Sequence, residues 1–401
     1  MITSRKKKLQ FSAKHSNQIF VTLSQPGHSS RFIGGCVRDC LINKTTFDYD
    51  IATTLKPEEV TYLLAKEHIR VIPTGIKFGT VTALIQDEKF EITTLRKEIN
   101  YKGRFPEVVF TSDFELDASR RDFTINALSY CPHEEILYDY FGGMEDLLKQ
   151  KIVFIGNPYD RIKEDPLRIL RFFRFFCYYG SKDSIDLEGS SACMELGELL
   201  HSLSKERIIA ELNKIIIHPE NYSTLLLMDK LSILKKVLPI NNFNVQALQN
   251  SQIYSQKLAI SLETTTIYAL IFYYNSELKL SDLMRLKFSK KDASSIIRFI
   301  SFFQSQDKLD WNSLRYLWLD EKFLQFVIIA LSVGKLYFAI AKQFILEHNA
   351  KEIPIFPLNG NDLLHIEQGA MLGKQLAYLK QLWIDSDYTL SKSELIESIK
   401  K

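Results

Sequence analysis

Apolar and polar positions change their period partway along the chain. Up to about Phe141 short alternating runs dominate. Asp48-Tyr49-Asp50-Ile51-Ala52 alternates polar with apolar residues and predicts a strand with one wet face. Arg31-Phe32-Ile33 predicts a short strand entering Gly34-Gly35, and Val37 to Ile42 the helix that follows. Pro57-Glu58-Glu59-Val60 opens a helix, with Thr54 or Lys56 near its start. Thr80 to Ile85 and Phe90 to Leu95 read as a hairpin around Gln86-Asp87-Glu88-Lys89. Beyond Asp146 the alternation fades, and helical periods parted by short Pro, Asn or Gly breaks run to the C-terminus. The last clear break, Pro354 to Gly360, leads into a terminal helical segment. No repeat of fixed period is present. The pattern predicts an α+β chain, a small mixed head followed by a long all-α array, with the change near residues 142 to 150.

Composition narrows the class. At 401 residues the chain exceeds the size at which one core stops growing, so two or more domains are expected. Its 46% hydrophobic and 25% charged residues are those of an ordinary globular protein. No apolar run approaches the roughly 20 residues that span a bilayer, which argues against a membrane role. Arg5-Lys6-Lys7-Lys8 precedes no signal-peptide core and reads as a solvated basic tail, with RNA contact the alternative. A net charge of +3 does not announce a nucleic-acid binder, so a large acidic substrate would need local patches. Five scattered cysteines without a CxxC pair predict reduced, mostly buried thiols and a cytoplasmic protein. The eight histidines form no HExxH, which argues against zinc chemistry.

The candidate chemistry lies in the head. Asp48 and Asp50, two apart on a predicted strand, point to the same face. Two neighbouring carboxylates repel unless a cation sits between them, and hard oxygen ligands suit Mg²⁺. Taken alone, the pair is a weak motif and reads more plainly as a solvent-facing acidic pair on an edge strand. Gly34-Gly35 lies between strand and helix, where bare amides can approach a phosphate, and Arg38 one turn on is placed to reach the same anion. A tight turn is the plainer account of the two glycines. Glu91, on a later strand between Phe90 and Ile92, is a candidate third metal carboxylate.

Gly34-Gly35-Cys36-Val37-Arg38-Asp39 followed by Asp48-Tyr49-Asp50-Ile51-Ala52-Thr53 resembles the head of class II tRNA nucleotidyltransferases, which include CCA-adding enzymes and bacterial poly(A) polymerases. The resemblance implies a polymerase-β-like head followed by an all-α neck, body and tail, here residues 1–146, 147–216 and 217–401. It implies that Gly35 and Arg38 grip the triphosphate, that Asp48 and Asp50 hold the metals, and that Glu91 takes the third acidic position. Arg120-Arg121-Asp122-Phe123-Thr124-Ile125-Asn126 matches the family's RRD motif, which positions the nucleotide ribose. That match carries nucleotide contact onto Arg121 and Asp122. A helix-capping Arg-Asp pair is the structural alternative.

Glu164-Asp165-Pro166-Leu167-Arg168-Ile169-Leu170-Arg171-Phe172-Phe173-Arg174 matches the family's nucleotide-binding EDxxR segment. Pro166 fits a first helical turn, and Asp165 and Arg168, three apart, would be neighbours on that helix. As a nucleobase reader the pair is specific. A carboxylate accepts from an exocyclic amine and a guanidinium donates to an unprotonated ring nitrogen. Cytosine and adenine offer that edge, whereas uracil and guanine present a carbonyl beside a ring N–H. Each step of three turns about 60° backwards round the helix, so Arg171 and Arg174 are expected to contact phosphates or brace Asp165. For Arg174 a charged stripe over an apolar core is the alternative.

Asp139 to Leu147 resembles the family's head-to-neck hinge, and Leu203-Ser204-Lys205-Glu206-Arg207-Ile208 its last motif, with Ser204 as N-cap. Both read as structural. Asn359 to Leu363 and Gly369 to Gly373 look like the tail of bacterial CCA-adding enzymes. Gly75-Ile76-Lys77-Phe78-Gly79 stands where poly(A) polymerases carry a basic stretch. Lys97 to Val109 stands where CC-adding enzymes lack a segment, although it has Lys102-Gly103-Arg104 for the commoner Asp-Gly-Arg. The resemblance thus implies addition of C, C and A to the tRNA acceptor end from CTP and ATP, with Mg²⁺ as cofactor. An A-adding or CC-adding specialist, a poly(A) polymerase, and a catalytically silent RNA-binding protein are the alternatives.

Overall fold

The computed structural model describes residues 3–99, 107–240, 244–275, 277–305, 308–309, 311–350, 354–363 and 369–399. The chain divides into two compact units. One comprises Met1–Ile215 with Leu227–Val237, the other Ile216–Leu226 with Leu238–Lys401.

The first unit carries the strands. They are β1 (Thr3–Lys6), β2 (Ser30–Ile33), β3 (Asp48–Thr53), β4 (Arg70–Gly75), β5 (Thr80–Ile85), β6 (Glu88–Thr94), β7 (Arg96–Ile99), β8 (Glu107–Phe110), β9 (Ser129–Cys131) and β10 (Ile136–Asp139). Among the described residues eight of them form one sheet in the order β1-β10-β9-β2-β3-β6-β5-β4, while β7 and β8 pair separately. Only β3 and β6 run parallel among these pairings, with Asp50 opposite Glu91. Alternation along β3 sends Tyr49 and Ile51 to one face and Asp48 and Asp50 to the other. On the apolar face Phe11 stacks on Phe32 at 4.1 Å and Tyr49 on Phe90 at 5.4 Å.

The helices of this unit include α1 (Ser16–Leu23), α2 (Gly35–Leu41), α3 (Pro57–Lys66), α4 (Phe114–Ser119), α5 (Gly143–Leu148), α6 (Pro158–Glu164), α7 (Leu167–Tyr179), α8 (Leu187–Glu195) and α9 (Lys205–Ile216). Along α7, Ile169, Leu170, Phe172, Phe173 and Phe176 are buried, while Arg168, Arg171 and Arg174 occupy another face. This is the 3.6-residue period of an amphipathic helix. Phe154 stacks on Phe172 at 5.7 Å and meets Phe123 at 4.8 Å, so one aromatic cluster supports both α7 and the turn after Arg121-Asp122.

Three local expectations change. The basic N-terminus is not a free tail: Thr3–Lys6 pairs with β10, the Leu9 N–H donates to the Tyr130 hydroxyl, and Arg5, Lys6 and Lys8 stay exposed. Exposed cations on an edge strand oppose further strand pairing. The β5–β6 turn is tighter than expected, because Ile85 pairs with Glu88 and Gln86 adopts a left-handed φ of 51°. Glu88 can then reach back to accept the Lys14 and His15 N–H groups at 2.7 and 2.9 Å. The 97–109 segment is a β7–β8 pair at its base, and its centre, residues 100–106, lies outside the described residues.

The second unit is helical. Val245–Leu258, Thr264–Phe272, Lys290–Gln304 and Phe323–Ser332 build its larger core, in which Phe299 and Phe326 meet edge to face at 4.7 Å. Leu358, Leu363, Leu379, Trp383, Ile384 and Leu395 form a separate cluster around the terminal helices. Among the described residues no helix is long and apolar enough to cross a membrane.

The hinge stretch is held by Asp139, which accepts the Gly143 and Met144 N–H groups at 2.9 and 3.0 Å. A Cβ at Gly143 would overlap the Thr124 carbonyl oxygen. Gly143→Ala is therefore expected to destabilise the protein by about 1–3 kcal/mol, the usual cost of overpacking. Denaturant unfolding checks this, and an unchanged midpoint would refute the close approach.

Candidate active site

A cavity of about 730 Å³ opens in the first unit, lined by residues from β3, from both ends of the β2–α2 turn, from the Arg120–Asn126 turn, and from α7 and α9. It brings together Gly34, Gly35, Arg38, Asp48, Asp50, Arg121, Asp122, Asp165, Arg168, Arg171 and Arg174. Glu91 does not line it.

At the β2–α2 turn Gly34 has φ 68°, a left-handed conformation that favours glycine. A Cβ there would also stand 2.9 Å from Arg121 Nη1. Arg38 is buried rather than free to reach out. Its Nε donates to Asp39 at 2.9 Å, Nη1 to Asn126 Oδ1 at 2.5 Å and Nη2 to the Tyr179 hydroxyl at 2.7 Å. Arg38 thus fastens α2 to the end of α7 while facing the cavity.

Burial pushes the Asp50 carboxyl up to about 6; the charges of Glu91 and Asp48 add to this, and Arg121 opposes it. A carboxylate strained in this way fits a site completed by a divalent cation, and two acid side chains on one strand face supply hard oxygen donors. Glu91 is matched in register with Asp50, but its carboxylate is half exposed and accepts from Lys89 Nζ at 2.5 Å. Among the described residues no group of three His, Cys, Asp or Glu side chains is arranged to hold a metal. The acid pair, rather than a triad, is what the fold assembles.

The RRD turn follows α4, whose N-terminus is capped by Asp113. Asp117, buried beneath the turn, accepts from Arg120 Nε at 3.0 Å and stands 3.5 Å from Arg121 Nη2. Asp122 is also buried. It accepts the Phe123 N–H and Asn126 Nδ2, both at 2.9 Å, and Arg171 Nε at 2.6 Å. Burial raises its carboxyl, but Arg171 and these hydrogen bonds outweigh it and hold the group below the usual range.

The reader segment departs from the expected helical neighbours. α6 ends at Glu164, Asp165 is extended at φ −145° and ψ 103°, and α7 begins after Pro166. The side chains of Asp165 and Arg168 do not pair with each other, since each has another partner. Asp165 accepts from Arg207 Nη2 at 3.1 and 3.2 Å, whereas Arg168 Nη1 donates to Glu164 Oε2 at 2.6 Å and to the Arg161 carbonyl at 2.9 Å. Arg161 in turn donates to the Arg120 and Arg121 carbonyls, each at 2.5 Å. Arg171 braces Asp122 and Arg174 pairs with Glu211 at 3.2 Å, so neither takes Asp165 as its partner. Asn126, Tyr179, Arg207 and Lys214 also line the cavity; Asn126 ends the RRD run without a role of its own, and Arg207 belongs to the last motif, expected to be structural only. Their signal lies in long-range pairing, which residue spacing does not carry.

A mixed sheet presenting two carboxylates to an arginine-lined cavity, with a helix start beside it bearing Asp165 and Arg168, defines a nucleotidyltransferase head. Residues 30–153 match the Poly A polymerase head domain, and residues 184–242 match the probable RNA and SrmB-binding site of polymerase A. The chain is 33% identical to the mitochondrial CCA tRNA nucleotidyltransferase 1 of Homo sapiens over 97% of its own length and 89% of the relative's. It is 39% identical to the CCA-adding enzyme of Bacillus cytotoxicus over 51% of each chain. The fold matches the Bacillus stearothermophilus CCA-adding enzyme in complex with CTP, with TM-score 0.72, 22% identity and 93% of both chains covered. The chain belongs to the tRNA nucleotidyltransferase and poly(A) polymerase family, whose members use divalent metal.

Asp122→Asn removes the charge facing Arg171 and is expected to cost about 3–5 kcal/mol near neutral pH, the scale of a broken buried pair. The Asp122 carboxyl is lower in the folded than in the unfolded chain, so the wild-type advantage is present above about pH 4 and shrinks as pH falls through the folded value. Unfolding of both proteins across pH checks the sign; a constant difference down to the folded value would refute it.

Proposed function

We propose that this protein adds C, C and A to the 3′ end of tRNA without a nucleic-acid template, using CTP and ATP and releasing pyrophosphate. The observation that carries this reading is the opening of Asp165 and Arg168 onto the same cavity as Asp48 and Asp50. A base held by the first pair lies in one space with the acids that organise phosphoryl chemistry. The reaction is in-line attack of the RNA 3′-hydroxyl on the α-phosphorus of the bound nucleotide.

Asp48 and Asp50 would hold Mg²⁺, which supplies activation of the hydroxyl and charge neutralisation on the leaving pyrophosphate. Gly34 and Gly35 let the triphosphate approach the backbone, and Arg38 and Arg121 add positive charge there. Asp122 orients Arg171 and the RRD turn for the ribose, while Arg171 and Arg174 keep the cavity cationic. Glu91 acts through the field it exerts on Asp50. We read residues 1–146 as the catalytic head, 147–216 as the neck with the base reader, and 217–401 as the body and tail that grip tRNA. In the helical unit Lys308 beside Tyr337 and Lys380 over Tyr316 offer cationic and aromatic contact for RNA. Five free cysteines fit a reducing compartment, and we place the protein in the cytoplasm.

Purified protein, tRNA lacking its 3′ CCA, Mg²⁺ and labelled CTP with ATP are expected to give complete CCA ends. No incorporation would refute enzymatic function, CTP alone would mark a CC-adding enzyme, ATP alone an A-adding one, and long A-tails on unrelated RNA a poly(A) polymerase. Asp48→Asn and Asp50→Asn should each lower turnover by about 10²–10³-fold, the scale of removing one preorganised charge. Near wild-type rates in either would remove that acid from the site.

A further inference from the structure

Opposite charges three apart at a helix start ordinarily pair with each other. Asp165 and Arg168 paired in that way would have little left to offer a base. In this structure they are drawn apart. Glu164 and the Arg161 carbonyl take Arg168 Nη1 on one side. On the other, Arg207 reaches from α9, 42 residues later in the chain, and its Nη2 donates to both oxygens of Asp165. The Leu167 N–H adds a third bond, to Oδ1 at 3.2 Å. A carboxylate offers about four acceptor positions, so capacity remains on Oδ2. Arg207 lines the same cavity and is about one-third exposed, at 34%. Arg171, another cation near Asp165, is already engaged by Asp122.

We propose that Arg207 is a specificity-determining positioning residue, which holds the Asp165 carboxylate away from Arg168 and so keeps the two-part base reader open. The inference rests on the base-reading role given above to Asp165 and Arg168. Without Arg207 only the Leu167 N–H holds the Asp165 carboxylate, which then turns onto Arg168 in competition with Glu164, and the reader closes on itself. The carboxylate then no longer selects an exocyclic amine, and the guanidinium no longer selects an unprotonated ring nitrogen. Cytosine and adenine lose their advantage over uracil and guanine.

The test compares kcat/KM for CTP and UTP on tRNA lacking CCA, and for ATP and GTP on tRNA ending in CC. Full-length wild type, R207M, R207K and D165A are measured. The ratios between nucleotides do not depend on the fraction of active enzyme, so they remain readable for a variant that folds poorly. R207M is expected to lower both the C-over-U and the A-over-G ratio at least tenfold, and R207K to restore most of the loss. Ratios within twofold of wild type in R207M, with a clear drop in D165A, would overturn the role of Arg207 and leave the base reader standing. Unchanged ratios in D165A would overturn the base reader itself, and the inference with it. A uniform fall in rate for all four nucleotides in R207M would mean a merely structural arginine and would also overturn it.

Discussion

The buried pair of Asp122 and Arg171 is the constraint on which the site depends. Asp122 ends the RRD motif in the turn after α4, and Arg171 stands one turn into α7. Their bond at 2.6 Å therefore joins the segment that faces the acid pair to the segment that carries the base reader. The join is made rigid from beneath, where Phe123 packs on Phe154 and Phe154 on Phe172. It is extended sideways by Asn126, which donates to Asp122 and accepts from Arg38. Three elements separated in sequence are thus fixed to one another through a single carboxylate.

A cavity that must attract a triphosphate needs many cations, and crowded cations repel. The structure resolves this by giving each of these arginines an acid partner, in two cases shared between two arginines. Asp117 serves Arg120 and Arg121, Asp39 serves Arg38, Glu164 serves Arg161 and Arg168, and Glu211 serves Arg174. Because a guanidinium carries five donors in a fixed fork, one such bond orients the plane and leaves other donors for a ligand. Asp48 and Asp50 stand outside this scheme, since no arginine is bonded to either among the described residues. At Asp50 burial prevails over the charge of Arg121, and its carboxyl is raised.

Much of this was legible in the residues. The alternation of β3, the strand–glycine–helix order around Gly34 and the apolar face of α7 follow from local pattern, and the motifs place the main site residues on one cavity. What could not be read is whatever depends on partners distant in sequence. Arg38 is placed by local spacing to reach an anion, yet Tyr179, 141 residues away, ties it down. Spacing makes Asp165 and Arg168 neighbours, yet Glu164 takes the guanidinium and Arg207 on α9 claims the carboxylate. The N-terminal cations looked like a solvated tail because the strand they join lies more than a hundred residues later.

That last pairing has a consequence for how the head comes into being. β3 bonds β2 on one side, a neighbour close in sequence, and β6 on the other, a parallel strand reached only after α3, β4 and β5 have been laid down. β1 has to wait still longer, for β10 at Ile136–Asp139. On a chain made from its N-terminus, β1 is synthesised before every other strand of this sheet and seated only with β10, and the strand with the acid pair stays half-paired until Thr94 has emerged. Sheets closed by such distant pairings form slowly, because the entropy of the intervening loop is lost before the contacts form. The exposed cations of β1 then have a use before the fold exists, since a charged strand awaiting its partner is a poor template for another chain.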